Sequence, residues 1–206
     1  MNEAILAFKR KDFPDYWLGD KFALSLSREQ FIEQMVSGKA CFVDRARAEN
    51  NHDFKQIIPY ILLADSENRL ATYSRNGSEK RLAGRMSLGI GGHLRSEDFT
   101  DGRFSWPELF SKALQRELLE ELPGFMPPAD PEFLGIINEE QSSVGRVHIG
   151  MVFVIRGIGA ADVVAGEELG SLDWVAVSEL TSMKGSGFEL WSWLALQLFD
   201  LKNRPF

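Results

Sequence analysis

Ser105-Trp106-Pro107-Glu108-Leu109-Phe110-Ser111-Lys112-Ala113-Leu114-Gln115-Arg116-Glu117-Leu118-Leu119-Glu120-Glu121-Leu122-Pro123-Gly124 is the stretch from which the rest of this sequence becomes legible. Ser105 followed three residues later by Glu108 reads as a capping box, Pro107 is tolerated in a first helical turn, and Pro123-Gly124 stops the helix after Leu122. Leu114, Leu118 and Leu122 recur every four residues and form a stripe able to pack on a sheet.

At about 100° per residue, Glu117, Glu120 and Glu121 fall within an arc of about 100° beside that stripe. For stability alone the arrangement is poor. Glu117 meets like charges at i+3 and i+4, each costing about 0.2–0.5 kcal/mol. The negative end of the helix dipole adds about 0.3–1 kcal/mol for each exposed acid in the last turn. An isolated Glu-Glu pair is ordinarily a solvated surface feature. Three acids that break two local rules at one place suggest a functional site, and a bound divalent cation would reverse both penalties.

Outward from this helix, the text before it is β-like. Ile57–Leu63, Leu70–Arg75 and Met86–Ile90 read as strands, with Asp65-Ser66-Glu67-Asn68 as a turn and Pro59 suggesting an edge or a strand start. Phe133–Asn138, Val147–Ile155 and Leu172–Val177 supply further strands, and Phe188–Phe199 a second long helix. Strands mixed with a few helices of this length predict an α/β/α sandwich around a mixed β-sheet. Residues 1–206 read as a single domain: an N-terminal extension at 1–50 with a helix near Arg28–Val36, a core at 55–182 and a C-terminal helix at 187–200. Phe188, Trp191, Trp193 and Phe199 are spaced for core packing on that last helix.

The 206 residues are 44% hydrophobic, enough for a sizeable core. A net charge of −7 argues against a nucleic-acid polymer as partner, but a small phosphorylated ligand remains compatible if divalent cations lie between it and the carboxylates. With no apolar run of about 18 residues and no secretory pattern at the start, the expectation is a cytoplasmic protein without a membrane partner. The single cysteine, Cys41, reads as a small core residue.

The quoted segment resembles the Nudix hydrolase box, which runs Gly, five residues, Glu, seven residues, Arg-Glu, an aliphatic residue, any residue, Glu-Glu, one residue, Gly. Gly102, Glu108, Arg116-Glu117, Leu118 and Glu120-Glu121 stand at those spacings. The closing glycine position is Pro123, with Gly124 one place late. The Gly-Gly pair that usually opens the box is Gly91-Gly92, ten residues before Gly102, with Leu94–Thr100 and its neighbours as an insertion. Ser87–His93 looks like the family's strand and turn into the helix, and Leu172–Leu180 like its closing strand and short helix, so the resemblance covers about residues 55–182. Within the family, Arg81 through Gly-Gly-His is similar to a little-characterised bacterial group of predicted Nudix phosphohydrolases.

The resemblance implies a Nudix fold and hydrolysis of a diphosphate linkage in a nucleoside diphosphate derivative or nucleoside triphosphate. It implies Mg²⁺, with Mn²⁺ as a substitute, held by Glu117, Glu120 and Glu121. Glu120 and Glu121 would be the principal ligands, Glu117 a ligand or general base, and Arg116 a group that orients a glutamate by ion pairing. Arg75, Lys80, Arg81 and Arg85 form a basic stretch suited to substrate phosphates, with Arg75 and Arg81 as its foremost candidates. The backbone at Gly91 and Gly92 can approach the site closely because no side chain obstructs it. A further glutamate from outside the box is expected at Glu139, Glu140 or Glu168. His93 and His148 are candidate pocket residues, although a lone histidine is more often structural. A homodimer is compatible with this reading. The alternatives are a non-catalytic nucleotide-sensing module and an isoprenoid-diphosphate isomerase on the same fold, for which Cys41 lies outside the matched region.

Overall fold

The computed structural model describes residues 3–36, 40–75, 85–99, 105–127, 130–166 and 169–203, with only the backbone at Val36 and Arg75. The strands are β1 (Ala4–Lys9), β2 (Lys21–Ser25), β3 (Cys41–Asp44), β4 (Phe54–Asp65), β5 (Arg69–Arg75), β6 (Met86–Ser87), β7 (Gly89–Gly91), β8 (Glu132–Glu139), β9 (His148–Ile158) and β10 (Leu169–Ala176). The helices are α1 (Arg28–Val36), α2 (Arg45–Ala48), α3 (Trp106–Glu121), α4 (Val177–Ser182) and α5 (Leu190–Asn203).

One mixed sheet runs in the order β10-β5-β4-β9-β8-β2. Its parallel pair is β4 with β9, where Ile57 faces Ile149 and Phe153 faces Ile61; the other pairings are antiparallel. Both central strands are apolar on both faces, as sheets covered on both sides require. Ile57, Ile61 and Leu63 of β4 and Ile149, Met151, Phe153 and Ile155 of β9 pack under α1 and α3. The alternate residues Tyr60, Leu62, Val152 and Val154 pack under α4 and α5. Side-chain alternation along a strand thus produces the three layers directly. In β8 the period slips where Gly135 takes a φ of +147° at a bulge; a Cβ there would lie 2.1 Å from the Leu24 carbonyl oxygen.

Two expectations are corrected here. Residues 1–50 do more than carry a helix, because β1 pairs with both β3 and β4 while β2 pairs with β8. Pro59 is neither at an edge nor at a strand start; it lies within central β4, opposite Met151. Besides β5 at Ala64, β4 is covered away from β9 by two short partners, β1 against Phe54–Gln56 and β7 against Tyr60–Leu62. Pro59 falls in the interval between them, where a strand can do without an N–H donor.

Candidate active site

Helix α3 begins at Ser105, whose carbonyl accepts the Leu109 N–H at 3.0 Å. The Ser105 side chain makes no capping bond, so the expected capping box is absent and Glu108 is simply exposed. The helix is held by its apolar face instead. Trp106 stacks on Phe110 with centroids 5.1 Å apart and on Phe8 at 5.8 Å, while Leu109, Ala113, Leu114 and Leu118 are buried. Packing of that stripe outweighs one missing cap, which is worth about 1 kcal/mol.

The same face buries Glu117, which is only 5% exposed and lies against the turn after β7. A Cβ on Gly92 would sit 2.2 Å from Glu117 Oε2, and one on Gly91 would sit 2.3 Å from the Pro59 carbonyl oxygen. Both glycines are therefore demanded by space rather than by backbone angle, and the Gly-Gly pair lets a carboxylate approach the main chain. Burial pushes the Glu117 carboxyl above its ordinary range, while Arg116 opposes the shift.

Arg116 organises the surroundings. Its Nε donates to Asp98 Oδ1 at 2.9 Å and its Nη2 to Asp98 Oδ2 at 2.8 Å, a two-pronged pairing. Nη2 also donates to the His93 carbonyl at 2.7 Å, and Nη1 pairs with Glu117. Burial works against the charge, but Asp98 and Glu117 outweigh it and hold the guanidinium above its ordinary pKa. Glu120, 45% exposed, lies 3.5 Å from Arg116 Nη1 and accepts from Arg95 at 3.1 and 3.3 Å. Glu121 is half-buried, with Oε2 shielded from solvent, and its carbonyl receives the Gly166 N–H at 2.9 Å. Beside Glu120, a shallow depression of about 400 Å³ is lined by Lys112, Gln115, Arg116 and Leu119.

No family model matches the chain. The protein Tm1382, provisionally classed as a Nudix hydrolase, is 29% identical and superposes over 97% of this chain and 98% of its own, with a TM-score of 0.74. The fold is that of the Nudix hydrolases. The same Nudix fold is found in the MutT protein of Methanosarcina mazei Go1, 22% identical over 73% of this chain and 96% of that one, at a TM-score of 0.53. It is found too in the NUDIX domain of Shewanella oneidensis NrtR, 11% identical over 87% of this chain and all of that one, at 0.54. In sequence, Protein YmaB of Bacillus subtilis (strain 168) is 37% identical over 142 residues, covering 66% of this chain and 66% of YmaB, just under two thirds of its length.

The segment after Gly92 supplies two residues the sequence reading missed. Arg95 caps and Asp98 closes a single 3-10 turn at Ser96–Asp98, and the Arg95 N–H donates to Asp98 Oδ2 at 2.8 Å. A base and an acid three residues apart inside an insertion that faces an acidic helix were the available signal. Glu139 and Glu140, expected as reserves for catalysis, are engaged elsewhere. Glu139 accepts from the Gln141 and Ser142 N–H groups, while Glu140 pairs with Lys55 at 2.7 Å and Arg10 at 2.8 Å. Lys80, Arg81, Gly102 and Glu168 lie outside the described residues, and Arg75 is described for its backbone alone. Arg85 is exposed. Cys41 directs its thiol to the Ala7 carbonyl in the β1–β3 pair, and burial raises its pKa.

His93 and His148, read separately in the sequence, are brought together: their Nε2 atoms are 3.2 Å apart, and both rings are buried. Burial, then the neighbouring imidazole and arginines, pushes His93 down to about 3, and burial lowers His148 as well. Both rings are therefore neutral at physiological pH. Among the described residues, no helix is long and apolar enough to cross a membrane.

Proposed function

We propose that this Nudix protein hydrolyses a diphosphate linkage in a small nucleotide, either a nucleoside diphosphate derivative or a nucleoside triphosphate. We assign the divalent ion, Mg²⁺ or Mn²⁺, to Glu117, Glu120 and Glu121. The observation that carries this reading is the surplus of carboxylates at one end of α3. Among the described residues, Asp98, Glu117 and Glu120 gather around Arg95 and Arg116, with Glu121 next along the helix, and Glu3 also draws on Arg95 at 2.7 Å. Hard oxygen donors suit Mg²⁺, and the missing Cβ of Gly92 lets the Glu117 carboxylate lie against the turn.

When bound, the ion neutralises diphosphate oxygens, lowers the pKa of an attacking water and stabilises the leaving phosphate. The protein's own residues do the positioning. Arg116, fixed by Asp98, holds the Glu117 carboxylate against Gly92, where it serves as a ligand or as the proton acceptor. Glu120 and Glu121 are the principal ligands, and Arg95 restrains Glu120 until substrate arrives. Gly91 and Gly92 present backbone to the substrate, with Arg75 and Arg81 as phosphate contacts.

Nucleotides are the first substrates to test. The NrtR NUDIX domain was crystallised with ADP ribose, and a bifunctional NMN adenylyltransferase/ADP ribose pyrophosphatase from Francisella tularensis was crystallised with AMP and a manganese ion. This chain covers only 42% of the latter, at 12% identity and a TM-score of 0.50, so the two show a shared fold alone. The test is phosphate release, followed by mass spectrometry, across nucleoside di- and triphosphates, dinucleoside polyphosphates and nucleotide sugars, with and without Mg²⁺. Turnover that vanishes on chelation is expected. Tight binding of one of these nucleotides without Mg²⁺-dependent turnover of any would instead make the protein a sensing module.

A further inference from the structure

We propose that Glu49, His93 and His148 form a second metal site, built for one divalent transition ion of the Zn²⁺ type and separate from the α3 carboxylates.

The geometry carries the assignment. His93 Nε2 and His148 Nε2 are 3.2 Å apart, and Glu49 Oε1 lies 3.8 Å from each. The circle through these three atoms has a radius of about 2.1 Å, which matches zinc–nitrogen and zinc–oxygen bond lengths of about 2.0–2.2 Å. A single ion in that triangle is thus in bonding reach of all three without movement of the chain. Two imidazoles with one carboxylate favour Zn²⁺ and its transition-metal neighbours over Mg²⁺, which prefers oxygen alone.

The surroundings prepare the ligands. His148 Nδ1 donates to the Val144 carbonyl at 2.7 Å, so its Nε2 carries the lone pair and points inward. This is the outer bond that metal-binding histidines usually make. His93 is fixed through its own backbone, whose carbonyl accepts from Arg116. A plain hydrogen bond between the rings accounts for their contact but not for Glu49, whose oxygen stands equally far from both and beyond hydrogen-bond range. Gln56, in register with His148 on the neighbouring strand, is fully buried, and neither amide atom has a hydrogen-bond partner among the described residues. A water completing the ion's shell would give that amide a partner. The Glu49 side chain is 35% exposed, which leaves a route for the ion. Arg45 Nε, 3.6 Å from Glu49 Oε1, is the competing cation, but Arg45 already pairs with Glu3 at 2.7 Å.

The three ligands come from the residue after α2, the turn between β7 and α3, and the start of β9. Bound metal would therefore tie the N-terminal segment to the Gly-Gly turn. The proposal does not depend on hydrolysis, and its test reads metal rather than turnover. Chelator-treated full-length protein is titrated with ZnCl₂, and separately with MgCl₂, by calorimetry; CoCl₂ binding is followed by visible absorption. One equivalent of Zn²⁺ per chain is expected, unaffected by excess Mg²⁺ and by Glu120→Gln. Affinity should fall by about 100-fold or more in His148→Gln and His93→Gln. Glu49→Gln, at a partly exposed position, carries the test if a histidine variant fails to fold. Equal zinc affinity in wild type and all three variants, or no zinc binding by wild type, overturns the site.

Discussion

Two charged clusters in this molecule, one around Lys55 and one around Arg116, differ in how completely their groups are used. Lys55 is fully buried in β4, and its ammonium reaches Asn138 Oδ1, the Gly145 and His148 carbonyls and Glu140 at 2.6–3.1 Å. Every donor has an acceptor, and Glu140 in turn holds Arg10. This closed network fastens the loop between β8 and β9 to the sheet. At the end of α3, among the described residues, the acids outnumber the arginines, the network reaches solvent at Glu120, and its central carboxylate is buried at some cost. A saturated cluster holds the fold, whereas one with an excess of acids leaves room for a cation.

That contrast can be broken most sharply at Lys55. Lys55→Met should destabilise the fold by about 3–5 kcal/mol in urea denaturation, because Glu140 and Asn138 lose their buried partner. A loss below about 1 kcal/mol would show that the cluster is not a structural anchor. Next in size, Arg116→Lys should cost about 2 kcal/mol, since a lysine cannot reproduce the fork on Asp98 while also reaching Glu117. A stable variant with wild-type melting would remove Arg116 from the centre of its network.

At the open cluster the effect should fall on chemistry rather than folding. Glu120→Gln and Glu121→Gln should each lower Mg²⁺-dependent turnover at least about tenfold, equivalent to about 1.4 kcal/mol, with unchanged fold by circular dichroism. Wild-type rates in both would end the assignment of these acids.

The smallest effect is a pH slope. Burial, only partly offset by Glu140, lowers the Lys55 pKa from 10.5 to about 8. Between those values the unfolded chain keeps a proton that the folded chain has released, so this lysine's contribution makes stability rise with pH. The slope should stay below about 1.4 kcal/mol per pH unit. The difference between wild type and Lys55→Met, followed by denaturation from pH 8 to 10.5, isolates it; a flat difference would mean that Lys55 keeps its charge throughout.

Much of this was already legible in local patterns. The helix over Trp106–Glu121 and the core strands follow from periodicities of 3.6 and 2, which report which face of an element is apolar. Crowding of Glu117, Glu120 and Glu121 was visible because neighbours on a helix are set by short sequence spacing. The strands β1, β2 and β3 escaped detection because they are short and only half amphipathic, and partners as distant as β4 and β8 are what stabilise them.

By itself, then, the sequence determined the layered fold and the acidic helix end. Tertiary structure alone decided that Asp98 and Arg95 from an apparent insertion would brace the helix. It also decided that Glu139 and Glu140 would serve the loop rather than the site, and that Glu49, His93 and His148 would meet. The physical reason is range: helix and strand patterns are written within about ten residues, whereas the Asp98–Arg116, Arg95–Glu120, Glu140–Lys55 and Glu49–His93–His148 contacts join side chains from separate segments, which only packing of the whole sheet brings together.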